Sequence, residues 1–188
     1  MYPAIDKVLR ENARLGNPLP VVTFYRPEDP YGYCSNFSRH STALDGDVWQ
    51  TSEHYFQAMK SLDPDVRKMI REKTSPGRAA YLGRTTLLRR DWDWLLDDTR
   101  LSLPPYWVAD RPASNPHIER VKDLVMWRIL VAKFTQHADI GKHLVDTRNA
   151  ILVEAADSDP YWGWGASRIG LNKLGFMLMG VRALLQAR

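Results

Sequence analysis

The run STALDGDVWQTSEHYFQAMK, residues 41–60, changes character at its middle. Its first half, STALDGDVW, sets Asp45-Gly46 between two short extended runs, a hairpin signal because glycine accepts the positive φ of a tight turn. Its second half is helical. Thr51 or Ser52 can cap the first turn, after which Glu53, Phe56, Gln57 and Lys60 share one helix face. A solvated amphipathic helix could carry such a face, and so could a catalytic one that groups an acid, an amide and an amine around an aromatic ring. A hairpin feeding a helix suggests a mainly α chain with a small antiparallel sheet, and the flanking segments extend that reading.

Upstream, IDKVLRENARLG places Ile5, Val8 and Leu9 on one side and predicts a short peripheral helix or arm over residues 1–20, ended by Gly16 and Pro18. VVTFYR is a strand by its β-branched and aromatic content, and the loop PEDPYGYCSNF follows it closely enough to line a site. Downstream, Asp63 and Pro64 start one helix; Ser75 and Pro76 start another that Gly83 is expected to end. Residues 94–117 are proline-rich and without period, and read as a long surface excursion. Residues 118–136 return to a wide apolar face, Ile118, Val121, Leu124, Val125, Ile129, Val131 and Phe134, suited to a buried helix. A last helix from Asn172 stacks Leu174, Met177, Leu178, Val181, Leu184 and Leu185.

The 188 residues fit one domain, and a hydrophobic content of 44% supports a sizeable core. The longest apolar stretches, LVMWRILVAKF and LGFMLMGVRALL, are interrupted by Arg128 and Arg182 and fall short of the ~20 residues a membrane span needs. The N-terminal residues lack the pattern of a secretory signal, so the expected location is the cytoplasm. Cys34 is the only cysteine, which excludes an internal disulfide and a cysteine-clustered zinc site. A net charge of +4 favours phosphate-bearing ligands mildly, and seven Trp and eight Tyr supply flat rings for a core or for base stacking.

The segment DSDPYWGWGASRIGLNKLG, residues 157–175, joins an acid and two tryptophans to four glycines and opens a helix at Asn172-Lys173. Main-chain amides at a helix start, with lysine and arginine nearby, suggest a seat for phosphate, and glycines let a ligand approach the backbone. An ordinary Gly-rich turn with two core tryptophans accounts for the same residues. No βαβ unit surrounds the segment, so it is not a dinucleotide fingerprint. HExxH, Walker A and GxSxG patterns are missing, and the five histidines show no metal spacing on a common helix face. The expected mechanism uses neither metal nor cofactor.

The motifs FYRPEDPYGYCSNFS, VWQTSEHYFQAMK, GRTTLLRRDWD, VMWRILVAKFTQH, and DPYWGWG followed by GLNKLGFMLMGVR resemble, in that order, the YbiA-like or NADAR family. The resemblance covers most of residues 22–183. It implies a mainly α, single-domain YbiA-like multihelical fold over residues 21–188, with residues 94–117 as an insertion. It implies cleavage of an N-glycosidic bond between a base and a ribose phosphate or ADP-ribose. Some members are described as acting on riboflavin-pathway intermediates, others as removing ADP-ribose from guanine in DNA or RNA, where a lysine forms a Schiff base with the sugar. A non-catalytic ADP-ribose-binding module is the remaining alternative.

Carried over by motif, the lysine looks like Lys60 and the acid like Glu53, with Asp159 a pocket residue that is a further catalytic candidate. Asn36, Phe37, Phe56, Arg84, Trp92, Trp162, Gly163, Asn172 and Lys173 are the substrate-binding candidates. Breaking a ribosyl C–N bond builds positive charge on the sugar, and an amine nucleophile can divide the step in two. Such an amine must be partly neutral, which burial beside rings favours and a nearby carboxylate opposes. Glu53 is expected two turns from Lys60 on one helix, placed to bracket a ribose, with Asp159 activating water or holding hydroxyls.

Overall fold

The hairpin is present. In the computed structural model, which describes residues 3–111 and 115–188, β2 (Thr42–Leu44) pairs antiparallel with β3 (Asp47–Trp49), Thr42 opposite Trp49. The turn between them uses positive φ at both Asp45 (56°) and Gly46 (82°), the geometry that matches strand twist. The described residues form eight α-helices and two two-stranded sheets, a mainly α fold. None of these helices is long and apolar enough to cross a membrane.

Two compact units divide the chain: residues 39–136, and residues 1–38 with 137–188. The first holds the hairpin, α2 (Ser52–Ala58), α3 (Pro64–Arg71), α4 (Pro76–Thr85), α5 (Pro105–Ala109) and α6 (Val121–Gln136). Each of α2, α3 and α4 starts on the cap expected for it: Thr51 Oγ1 accepts from His54 N, Asp63 Oδ1 from Asp65 N, and Ser75 Oγ from Arg78 N. Helix α6 buries Val121, Leu124, Val125, Ile129 and Phe134 as its apolar pattern requires, but also Arg128 and Lys133. Its last residue joins it to the hairpin, because the Gln136 amide bonds both the N–H and the C=O of Ala43, at 2.9 and 2.8 Å.

Helix α4 does not stop at Gly83; it runs to Thr85. Gly83 is a packing residue. A Cβ built there would lie 2.0 Å from Gln57 Oε1 and 2.8 Å from Gln57 Cβ, so glycine lets α4 close on α2. The 94–117 excursion is more embedded than a surface loop: Leu95 bridges to Arg120, Trp107 on α5 is 3% exposed, and Asp110 pairs with Arg128. Residues 112–114 of it lie outside the described residues.

In the second unit, α1 (Ile5–Ala13) is the short helix expected within residues 1–20, and its apolar side is packed. Ile5 is fully buried against Ile151 and Val153, with Val8 and Leu9 packed around them, and its N–H donates to Gly170 O. The side chain of Asn12 then fastens the chain at Leu19 through two hydrogen bonds. Not every strand pair is antiparallel: β1 (Val21–Phe24) runs parallel to β4 (Ile151–Glu154), Val21 opposite Ile151. Parallel pairing needs a crossover, and here everything between β1 and β4 serves as one, so no local hairpin pattern could reveal it. Helices α7 (Ala138–Asp146) and α8 (Lys173–Gln186) complete this unit, α8 burying Leu174, Met177, Leu178 and Val181.

Candidate active site

Helix α2 is buried along its whole length, so its polar residues are not a solvated face. Glu53 is 8% exposed, and its Oε1 accepts a 2.6 Å hydrogen bond from Gln57 Nε2 one turn on. Gln57, on the same helix face, fixes the carboxylate. Phe56, between them on that face, packs on Trp92 with ring centroids 5.2 Å apart. Lys60 sets its Nζ 5.5 Å from the centroid of the Phe56 ring. The helix ends at Ala58, so Lys60 stands in the turn beyond it, with its N–H on Gln57 O and its C=O accepting from Arg89 N at 2.8 Å. The two-turn spacing expected for Glu53 and Lys60 therefore does not apply. A lysine leaving a helix end is aimed by that turn rather than by helical periodicity.

The platform is anchored below. His54 is buried, its Nδ1 2.8 Å from Thr51 Oγ1 and its Nε2 3.0 Å from Lys73 O. A carbonyl accepts only, so Nε2 carries the proton and Nδ1 takes the threonine hydroxyl's. Burial lowers the imidazole's pKa, against the opposing bond to Lys73. Tyr55 donates to Asp45 Oδ2, and burial pushes its phenol far up. Arg84, on α4, is exposed.

The other candidates belong to the unit of residues 1–38 and 137–188. Asn36 is buried and Phe37 is 37% exposed. Asp159 Oδ1 accepts from the amides of Tyr161 and Trp162, at 2.9 and 2.8 Å, and so shapes its own loop. Trp162 is half-buried and stands edge-on to Tyr161. Gly163 admits protein, since a Cβ there would meet Glu154 O at 2.8 Å.

The phosphate seat expected at the start of α8 is not formed. The amides of Asn172, Lys173 and Leu174 donate to the carbonyls of Gly163, Tyr161 and Trp162, at 3.0, 3.2 and 3.1 Å. Donors already satisfied by the preceding loop have nothing left for an anion. Asn172, left-handed at φ 48°, directs its side chain to Glu154 N and Leu152 O, while the Lys173 ammonium, on a buried side chain, lies 5.9 Å from the Tyr161 ring centroid. Asn172 thereby ties the helix to β4, and Lys173 ties it to the loop at Tyr161.

Residues 23–186 match the NADAR domain. The chain is 39% identical over 167 residues to N-glycosidase YbiA of Shigella flexneri, covering 88% of each protein. It is 33% identical over 180 residues to the chloroplastic riboflavin biosynthesis protein PYRR of Zea mays, covering 87% of this chain and 25% of that one. The NMR structure of Escherichia coli YbiA superposes with a TM-score of 0.69 at 38% identity, over 89% of this chain and 86% of that one.

Proposed function

This chain belongs to the NADAR domain family, and we propose that it is an N-glycosidase whose nucleophile is the amine of Lys60. The relatives named N-glycosidase support the reaction class. The observation that carries the residue assignment is the setting of Lys60 Nζ over the Phe56 ring, which itself packs on Trp92, on the segment whose helix also carries a buried Glu53 held by Gln57.

The neutral amine adds to the anomeric carbon as the C–N bond to the base breaks, and the leaving nitrogen takes the bonding electrons and a proton. The lysyl glycosylamine then opens its ring: the C–O bond breaks, the ring oxygen is protonated, and an iminium forms. Water adds to the iminium carbon, and collapse releases the sugar and regenerates the amine. Glu53 handles the protons, work that a buried carboxylate held in place by Gln57 suits. The proposed substrate is ADP-ribosylated guanine in nucleic acid, a reading supported by the basic balance of the chain. The riboflavin-pathway name of the maize relative favours a second substrate class, free base–ribose phosphates.

Incubation of enzyme and substrate with borohydride is expected to leave a reduced sugar adduct on Lys60, read by peptide mass spectrometry. An unmodified Lys60, or full turnover by Lys60→Ala, overturns the amine mechanism. Parallel assays on DNA carrying ADP-ribosylated guanine and on a pyrimidine ribosylamine phosphate decide the substrate class.

A further inference from the structure

The 39–136 unit holds a cavity of about 400 Å³ whose lining includes neither Lys60 nor Glu53. Four charged side chains face it: Asp45, Asp47, Arg67 and Arg89. Three are already matched. Asp45 pairs with Arg128, Asp47 with Arg71, and Arg89 with Asp91. Arg67 has no acidic partner among the described residues; its Nε donates to Ser61 O at 2.7 Å, which fixes the stem and leaves both terminal nitrogens unbonded. Burial, and then the charge of Arg89, pull the Arg67 guanidinium below its ordinary value, against a smaller opposing pull from groups that include Asp45. A further donor lies in the wall. The buried indole N–H of Trp107 is near the Asp45 carboxylate but makes no hydrogen bond of proper geometry.

We propose that this cavity is a binding site for a sugar phosphate, its phosphoryl oxygens on Arg67 and the open Nη1 of Arg89, its hydroxyls toward Asp45 and Asp47. Guanidinium pairs are matched to phosphoryl oxygens in shape as well as charge. The volume exceeds what a bare phosphate fills and lies within the ~300–1,000 Å³ of small-molecule sites. Two guanidinium groups already lie over the Trp107 ring, Arg89 5.6 Å and Arg128 4.8 Å from its centroid, and compete with any base for it. The apolar wall is instead Met59, Leu62 and Tyr106. Four of the lining residues, Ser102, Pro104, Tyr106 and Trp107, come from the 94–117 segment, which thereby acquires a role. The site does not depend on the glycosidase reading.

Calorimetric titration of the full chain with ribose 5-phosphate, inorganic phosphate, ribose and a short single-stranded oligonucleotide tests this. Ribose 5-phosphate is expected to bind more tightly than phosphate, and ribose not at all. Arg67→Gln is expected to weaken it about tenfold or more, the scale of a lost charge-assisted bond, while Lys60→Ala leaves it unchanged. In the wild type, the indole N–H signals of Trp49 and Trp107 are expected to shift during the titration, a readout that survives a poorly folded variant. Shifts at those indoles with the oligonucleotide alone assign the phosphoryl group to a nucleic-acid backbone. No binding by either source, unchanged affinity in a folded Arg67→Gln, or shifts confined to other residues overturns the site.

Discussion

Arg128 grips Asp45 through two parallel hydrogen bonds, Nη1 to Oδ2 at 2.8 Å and Nη2 to Oδ1 at 2.7 Å, across 83 residues of sequence. The same guanidinium takes Asp110 through Nε at 2.7 Å and lies 5.3 Å from the Tyr106 ring centroid. It thus fastens the hairpin turn, the 94–117 segment and α6 to one point. Burial disfavours both charges, yet the pairing prevails: Asp45 is held below the usual carboxylate range and Arg128 above its ordinary value. Asp45→Ala leaves a guanidinium 3% exposed without its main partner, and is expected to cost about 3 kcal/mol. Asp110, half exposed, is expected to cost about 1 kcal/mol or less when replaced by Ala. Denaturant titration of the two variants checks the order, which is the point of the prediction.

Gly83→Ala tests the α2–α4 contact. The added methyl would overlap the buried Gln57 side chain, including its Cβ, so the helices must separate. A loss of about 1–3 kcal/mol is expected from such overpacking. Because Gln57 also holds Glu53, turnover is expected to fall further than stability explains. Gln57→Ala combined with Gly83→Ala is expected to recover part of the stability and none of the turnover.

His54 predicts a pH dependence. Its folded pKa lies below the unfolded value, so between the two the unfolded chain binds more protons. Stability is then full above about pH 6.5, the ordinary histidine value, and declines as pH falls from there toward the folded pKa. His54→Leu removes two buried hydrogen bonds and is expected to lose about 1–3 kcal/mol at pH 7.5. Its decline between pH 7 and 5 is expected to be shallower than wild type, measured by denaturant midpoints across that range.

Asn172 combines a left-handed backbone with two side-chain bonds into β4. Asn172→Gly relieves the backbone but loses the bonds; Asn172→Ala loses both advantages. Each is expected to destabilise by about 1–3 kcal/mol, Ala more than Gly, in thermal or chemical melts.

Much of the molecule was legible locally. Asp45-Gly46 needed only its own φ preferences to announce a hairpin, and Thr51, Asp63-Pro64 and Ser75 announced helix starts because a cap is satisfied within three residues. The apolar faces of α6 and α8 followed from period alone, and the ordered motifs carried the family. What period does not carry is partner identity. Gly83 reads as a helix end until Gln57 is found against it, and Asn172-Lys173 reads as an anion seat until the 161–163 carbonyls are found on its amides.

The chain by itself thus determined its mainly α class, its hairpin, most helix starts and its NADAR membership, since those depend on neighbours along the backbone or on motif order. Only the tertiary structure decided the parallel β1–β4 pair, the burial of α1, the triple grip of Arg128 and the unmatched Arg67 in its cavity. Each of these is a balance of hydrogen bonds and charge between residues far apart in sequence, and that balance exists only after the backbone has closed.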